Sequence, residues 1–379
     1  MVKGAYIHIP FCDHICYYCD FNKYFLKNQP VNEYLAALDK EIAQAVEKTK
    51  PMPLQTIFVG GGTPTALDEK QMAYFLERVR WHLNPNGKVM EWTMEANPEN
   101  MNKDKLLLMN EAGVNRLSIG VQTFNDHLLK SIGRAHDRLT VHKAIEEARR
   151  AGFQNLSIDL MFGLPEQTKE DLISSLNEAI ALDPEHISIY SLQVEPRTIF
   201  YHRMKKGTLK LPDQDLEADM YEFIIDFLEA HGYKQYEISN FAKPGYESRH
   251  NLLYWDNEEY YGFGAGAHGY INGERVVNAG AVKGYIRRVE ETGHAIVESH
   301  PVTRQERIEE ELFLGLRKLS GVSKDHFYMK FGQSLHDIYD KQLQFLKNKG
   351  WIVEDDEKIS LTREGLLLGN EVFQEFLLS

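Results

Sequence analysis

The sequence predicts an α/β fold: an incomplete parallel (β/α)6 barrel followed by a smaller, mainly helical, winged-helix-like unit. Three observations carry this reading. Short apolar runs alternate with amphipathic stretches about six times before residue 200. Chemistry-bearing residues sit at or just past the C-terminal ends of successive apolar runs, the edge where parallel barrels assemble their sites. From about Thr303 the alternation gives way to helical patterns and one hairpin.

Each element has its own signal. Ala5–Ile9 reads as a short strand. Val31–Val46 reads as an amphipathic helix, with Leu35, Leu38, Ile42 and Val46 at helical spacing. Gln55–Val59 is a strand ending in Gly60-Gly61-Gly62-Thr63-Pro64-Thr65, and a helix over Asp68–Trp81 follows. Met90–Ala96 is a strand running into Glu95-Ala96-Asn97-Pro98, and the helix Lys103–Ala112 stops at Gly113. Arg116–Gly120 leads to Gln122, and the helix Leu139–Ala151 stops at Gly152. Asn155–Met161 carries Asp159 and precedes a helix over Lys169–Ala181 and a strand over His186–Leu192. Asp213–Ala230 is helical, and Tyr236–Asn240 is expected to be a last strand. Ala242–Gly269 is rich in glycine, aromatics and histidine without a clear period. Arg304–Leu319, His336–Lys349 and Glu364–Leu377 read as helices, with a hairpin at Trp351–Leu361. The expected organisation is a barrel over 1–240, a connecting segment over 241–302 and a helical unit over 303–379.

Composition narrows the function. A net charge of −13 argues against nucleic acid as a partner, because phosphate binding needs a basic surface. No run of 18 apolar residues predicts a membrane span, which leaves peripheral membrane contact open. Met1-Val-Lys-Gly has no signal-peptide character, and with reduced thiols this predicts a cytoplasmic protein.

The only three cysteines, Cys12, Cys16 and Cys19, fall within eight positions. An odd count cannot close into disulfides, and such short gaps bridge poorly. Three thiolates on one loop suit a metal. Zinc would need a fourth ligand, and His8 or His14 could supply it. An iron–sulfur cluster can instead take three cysteines and leave one iron open.

The spacing Cys-x3-Cys-x2-Cys, with Tyr18 before the last cysteine, resembles the radical S-adenosylmethionine (SAM) superfamily, which implies a 4Fe-4S cluster on Cys12, Cys16 and Cys19. By itself the glycine run reads equally as a tight turn. Beside such a cluster it matches the superfamily's glycine motif. Taken together, Tyr6, the cysteine loop, GGGTPT, Glu95–Pro98, Gly120–Phe124, Gly133–Asp137 and Asp159–Pro165 resemble the oxygen-independent coproporphyrinogen III oxidase family and its relatives, across essentially the whole chain. The resemblance implies a SAM pocket of Tyr6, Tyr18, Gly61, Gly62, Thr63, Glu95, Gln122, Arg134 and Asp159. Glu95 and Asp159 suit ribose hydroxyls or an ammonium, and Arg134 suits a carboxylate.

The sequence departs from the oxidases in carrying Phe21 where they have a further cysteine, and in reaching its first cysteine by residue 12. His250-Asn251-Leu252-Leu253-Tyr254-Trp255 is similar to the haem-binding signature of the haem chaperone branch of the family. Taken alone, His250 reads as a structural loop histidine; the resemblance implies an axial iron ligand, with Tyr254 and Trp255 as flat porphyrin contacts. The function expected is therefore a haem chaperone that delivers haem to apo-haemoproteins, foremost respiratory enzymes. The rival is the oxidase, which decarboxylates coproporphyrinogen III by radical chemistry. Oligomeric state is left open, a homodimer included.

Overall fold

The computed structural model describes residues 1–49 and 53–378. Its centre is six parallel strands in sequence order: β1 (Gly4–Ile9), β2 (Thr56–Gly61), β3 (Glu91–Ala96), β4 (Arg116–Gln122), β5 (Leu156–Phe162) and β6 (His186–Ser191). The helices α1 (Val31–Thr49), α2 (Glu69–Leu83), α3 (Lys103–Ala112), α4 (Arg138–Arg150) and α5 (Lys169–Ala181) cross between them, and α6 (Gln214–Ala230) follows β6. Local chemistry starts these helices where the sequence predicts. Asp68 and Thr168 form capping boxes, while Asn102, Asp137 and Asp213 accept from first-turn amides. Gly113 ends α3 at φ 104°, a conformation that favours glycine.

The strands separate two chemistries by their period of two. Ile7, Ile57, Val59, Trp92, Met94, Leu117, Ile119, Ile158 and Leu160 are buried under the helices. The residues between them, Tyr6, Thr56, Glu91, Thr93, Glu95, Arg116, Ser118, Ser157 and Asp159, share the other face, and neighbouring strands pair them side by side. The inner face is therefore largely polar.

The sheet continues past both ends of the parallel run, to twelve strands. Beside β6 lie β7 (Lys234–Glu237) and β8 (Asn240–Ala242), antiparallel. The single strand expected over Tyr236–Asn240 is thus two strands that turn at Ile238-Ser239. Beyond β1 come β9 (Tyr260–Phe263), parallel to it, then antiparallel β10 (His268–Ile271), β11 (Glu274–Asn278) and β12 (Ile296–Pro301). Residues 241–302 also contribute the helices α7 (Arg249–Trp255) and α8 (Val282–Thr292).

The glycine-rich turn after β9 is tied to α1. The Tyr34 hydroxyl donates to the His8 carbonyl (2.8 Å) and accepts from the Ala265 amide (2.9 Å). Buried Glu41 accepts from the Gly264 amide, Asn278 and Tyr285.

The last unit runs α9 (Arg304–Gly315), β13 (Val322–Ser323), α10 (Lys324–Phe331), α11 (Leu335–Asn348), β14 (Ile352–Glu354) and β15 (Lys358–Leu361). Helix, strand, two helices and a hairpin is the winged-helix order, and the three strands form their own sheet. Its separate core includes Leu312, Phe327, Tyr339, Leu343 and Ile359. The helix expected over Glu364–Leu377 is split into Arg363–Leu367 and Gly369–Gln374. No helix among the described residues is long and apolar enough to cross a membrane.

Tyr34→Phe keeps the ring but strips a hydrogen-bond partner from two backbone groups. Chemical denaturation should show a loss of about 2 kcal/mol; a change within a few tenths would refute this account of how the turn is held.

Candidate functional site

The C-terminal ends of the parallel strands open into a cavity of about 340 Å³. Cys12, Cys16, Cys19, Tyr18, Gly61, Gly62, Thr63, Glu95, Gln122, Arg134 and Asp159 all line it. Tyr6 and His250 do not.

Backbone bonds set the cysteine loop. The Tyr17 amide donates to the Ile132 carbonyl (3.0 Å), the Leu26 amide to Cys12 (2.9 Å), and the Thr63 amide to Phe11 (2.8 Å). The Thr63 hydroxyl donates to Cys12 Sγ (3.5 Å), and Arg134 Nη1 to Cys16 Sγ (3.4 Å). Burial pushes the Cys12 thiol up to about 11, with smaller contributions from the two other cysteines.

The glycine turn holds its shape because nothing larger fits. A Cβ on Gly61, at φ 109°, would lie 2.3 Å from the His8 imidazole, and one on Gly62 would lie 2.8 Å from the Ile9 and Phe11 carbonyls. The imidazole is fixed by the Tyr6 hydroxyl at Nδ1 (2.9 Å) and the Asn22 carbonyl at Nε2 (2.7 Å).

Glu95 and Asp159 are half-buried carboxylates facing one space. Glu95 accepts from the Gly61 amide (3.0 Å), and burial, reinforced by Asp159, pushes its pKa up to about 7. Asp159 accepts from Ser118 (3.0 Å) and Ser157 (3.2 Å), and burial raises its pKa too. Arg134 donates to the Gly120 carbonyl, and its Nε is buried without a partner. Gln122 has φ 69° at a break in the β4–β5 register, a strained conformation for a non-glycine residue.

The donor set fits a cluster with a SAM ligand, since three thiols, two carboxylates and a guanidinium line one cavity. Among the described residues, no three or more His, Cys, Asp or Glu side chains are spaced for one metal ion. Both nitrogens of His8, a candidate fourth zinc ligand, are already hydrogen-bonded. The unpartnered Arg134 Nε and the paired carboxylates supply complementary groups for a ligand bearing a carboxylate, an ammonium and ribose hydroxyls.

His250 lies beneath this cavity, in α7. It is 1% exposed. Its Nδ1 is 2.8 Å from Thr56 Oγ1, and its Nε2 is 2.8 Å from the Tyr254 hydroxyl. Burial, with Arg116 nearby, pushes its pKa down to about 3. Both imidazole nitrogens are therefore engaged by hydroxyl groups in this conformation. Tyr6 sits one layer below the cavity, its ring stacked on Phe58 at 6.2 Å.

Sequence reasoning missed Phe58, Arg116, Ser118, Ser188 and Tyr190, which also line the cavity. For all but Phe58 the signal was available as polar residues at every second position of R-L-S-I-G and H-I-S-I-Y.

Comparison with known proteins agrees with these features. Residues 6–179 match the model of the radical SAM superfamily, and residues 302–368 match that of the HemN C-terminal domain. The chain is 54% identical to the heme chaperone HemW of Bacillus subtilis, over 99% of each chain. It is 35% identical to that of Escherichia coli, over 99% of this chain and 98% of the relative. The structure resembles the coproporphyrinogen III oxidase (HemN) from Escherichia coli, described as a radical SAM enzyme. The TM-score is 0.87 at 26% identity, covering 99% of this chain and 90% of the other.

Gly61→Ala should destabilise the chain by about 2 kcal/mol more than Gly87→Ala. Gly87 also has positive φ, but nothing lies within 4 Å of its added Cβ. Equal losses on denaturation would show that the close approach to His8 is unimportant.

Proposed function

The chain belongs to the HemW heme chaperone family of radical SAM proteins, and on that premise we propose that it binds haem and delivers it to apo-haemoproteins, with a 4Fe-4S cluster and SAM held in the barrel cavity. The observation that carries the cofactor reading is the convergence of the three cysteines, the glycine turn, Glu95, Arg134 and Asp159 on one cavity. When bound, such a cluster supplies one-electron chemistry at an iron not held by protein.

In this reading Cys12, Cys16 and Cys19 each give a thiolate, and the bonds from Thr63 and Arg134 orient two of the sulfurs. Gly61 and Gly62 expose backbone to the ligand. Glu95 and Asp159 meet its cationic and hydroxyl groups, Arg134 its carboxylate, and Tyr18 and Gln122 complete the wall. Respiratory apo-haemoproteins in the cytoplasm, or reached at the membrane surface, are the proposed recipients. Haem ligation by His250 through Nε2 requires its bond to Tyr254 to open.

The second reading, coproporphyrinogen III oxidation, is favoured by the fold likeness alone. Phe21, 64% exposed on the cavity wall, replaces the extra cysteine that the oxidase resemblance implies.

One preparation separates the readings. Anaerobically reconstituted protein should bind haem with a defined Soret band and leave coproporphyrinogen III unconverted in the presence of SAM and reductant. Alanine at Cys12, Cys16 or Cys19 should remove iron and sulfide. Rapid protoporphyrinogen formation without haem binding would reverse the assignment.

SAM affinity should also depend on pH. A cationic ligand requires ionised Glu95, whose pKa stands near 7 in the free cavity. Calorimetry should therefore show binding tightening from pH 6 to 8, with proton release. Glu95→Gln should bind more weakly and lose that slope; an unchanged slope would remove Glu95 from cation recognition.

A further inference from the structure

Three side chains in contact, the first two stacked and the last two edge-on, lie between the cofactor cavity and a second cavity. Phe58 lines the cofactor cavity. The His250 ring lies against it, centroids 5.2 Å apart and planes at 26°. His250 Nε2 meets the Tyr254 hydroxyl at 2.8 Å, and Tyr254 lines the second cavity, of about 280 Å³, with the aromatic Trp255, Tyr260 and Phe313 and the charged Glu258, Arg275 and Glu310. Asn251, the residue after His250, lines the first cavity. The seven-residue helix α7 therefore touches both spaces, and His250 is the middle layer between them.

The closed arrangement is held from below and carries a cost at its far end. Thr56 holds His250 Nδ1, while the Glu91 carboxylate accepts from the Arg249 and His250 amides and the Ser248 hydroxyl. At the other end of α7, Trp255 Nε1 and Arg317 Nε are buried without hydrogen-bond partners, although the guanidinium lies 4.5 Å over the indole. Buried polar groups left unpaired favour any rearrangement that exposes them.

We propose that the Phe58–His250–Tyr254 partition couples the two cavities, so that a ligand in the cofactor cavity holds His250 shut and opposes its use by a haem in the second cavity. A ligand filling the first cavity packs on Phe58 and Asn251, which favours docked α7. Iron ligation needs Nε2 freed from Tyr254, which favours the released state. Ligands that prefer opposite states of one element weaken each other's binding by the same factor. The proposal rests on the haem-chaperone reading above and assigns SAM the role of setting when haem is gripped.

The test is haem titration of the cluster-reconstituted protein, followed through the Soret band, without SAM and at saturating SAM. SAM should raise the haem Kd by about fivefold or more, and saturating haem should raise the SAM Kd by the same factor. Thr56→Val removes the Nδ1 bond, keeps the side-chain shape and touches neither ligand. It should tighten haem binding several-fold in SAM-free protein, where a merely structural role would weaken it. Tyr254→Phe should act in the same direction and serves if the Thr56 variant folds poorly. A haem Kd indifferent to SAM overturns the coupling while leaving the chaperone reading intact. Direct competition for one cavity would reproduce the SAM effect but leave both variants unchanged, and that too overturns the partition. Failure to bind haem under any condition overturns the chaperone reading itself.

Discussion

The structure depends on a polar inner face being kept inside a barrel. Burying Glu91, Glu95, Asp159 and Arg116 is unfavourable unless each finds partners. The three carboxylates find them: the Gly61 amide donates to Glu95, Ser118 and Ser157 donate to Asp159, and the Ser248 hydroxyl with the Arg249 and His250 amides donates to Glu91. Thr93 Oγ1 and Arg116 Nε nevertheless stay without a hydrogen-bond partner. A fold selected only for stability would fill these positions with apolar side chains, as it does on the outer face, where Trp92, Met94, Leu117 and Ile119 are fully buried. The retained polarity is what lets the open end of the barrel receive a charged, hydroxyl-bearing ligand.

The same constraint explains how the cysteine loop is supported. Its backbone bonds run to Ile132 and Leu26, and the chain just beyond it is anchored where Asn22 donates to the Ala265 and Gly280 carbonyls. His8 links that anchor to the glycine turn, because its imidazole occupies the space that the missing Gly61 Cβ leaves. Burial lowers the pKa of His8, so a neutral ring serves as a spacer with one donor and one acceptor. The added strands after residue 260 position Ala265 and Gly280 for this contact, and thus belong to the support of the site.

The cysteine spacing, glycine run, Glu95 and Gln122 were legible in the sequence because each sits at or just past a strand end, and parallel strands bring their ends to one rim; Asp159, within its strand, and Arg134, in the loop beyond a short helix, were legible through the motifs around them. The antiparallel strands between 260 and 301 were not legible. They are short, bounded by Gly264, Gly266 and Gly273 at positive φ, and mix aromatics with glycine, so no period of two emerges. The turn within residues 234–242 was missed for a related reason: two strands of three and four residues are shorter than a periodic signal needs. His250 differs again. Its motif could be read, but its environment is made by Phe58, Thr56 and Tyr254, two of them nearly two hundred residues earlier in the chain.

By itself the sequence determined the alternation that builds six parallel units, the polar residues at their ends and the single loop bearing all three thiols. Those are properties of periodicity and residue type, which local chemistry sets. Only the tertiary structure decided that His250 is enclosed with both nitrogens engaged, that Tyr6 lies below the cavity, and that Phe58 and Arg116 help to line it. Burial and partner choice depend on which distant strands become neighbours, and register fixes that through long-range packing that no single stretch encodes.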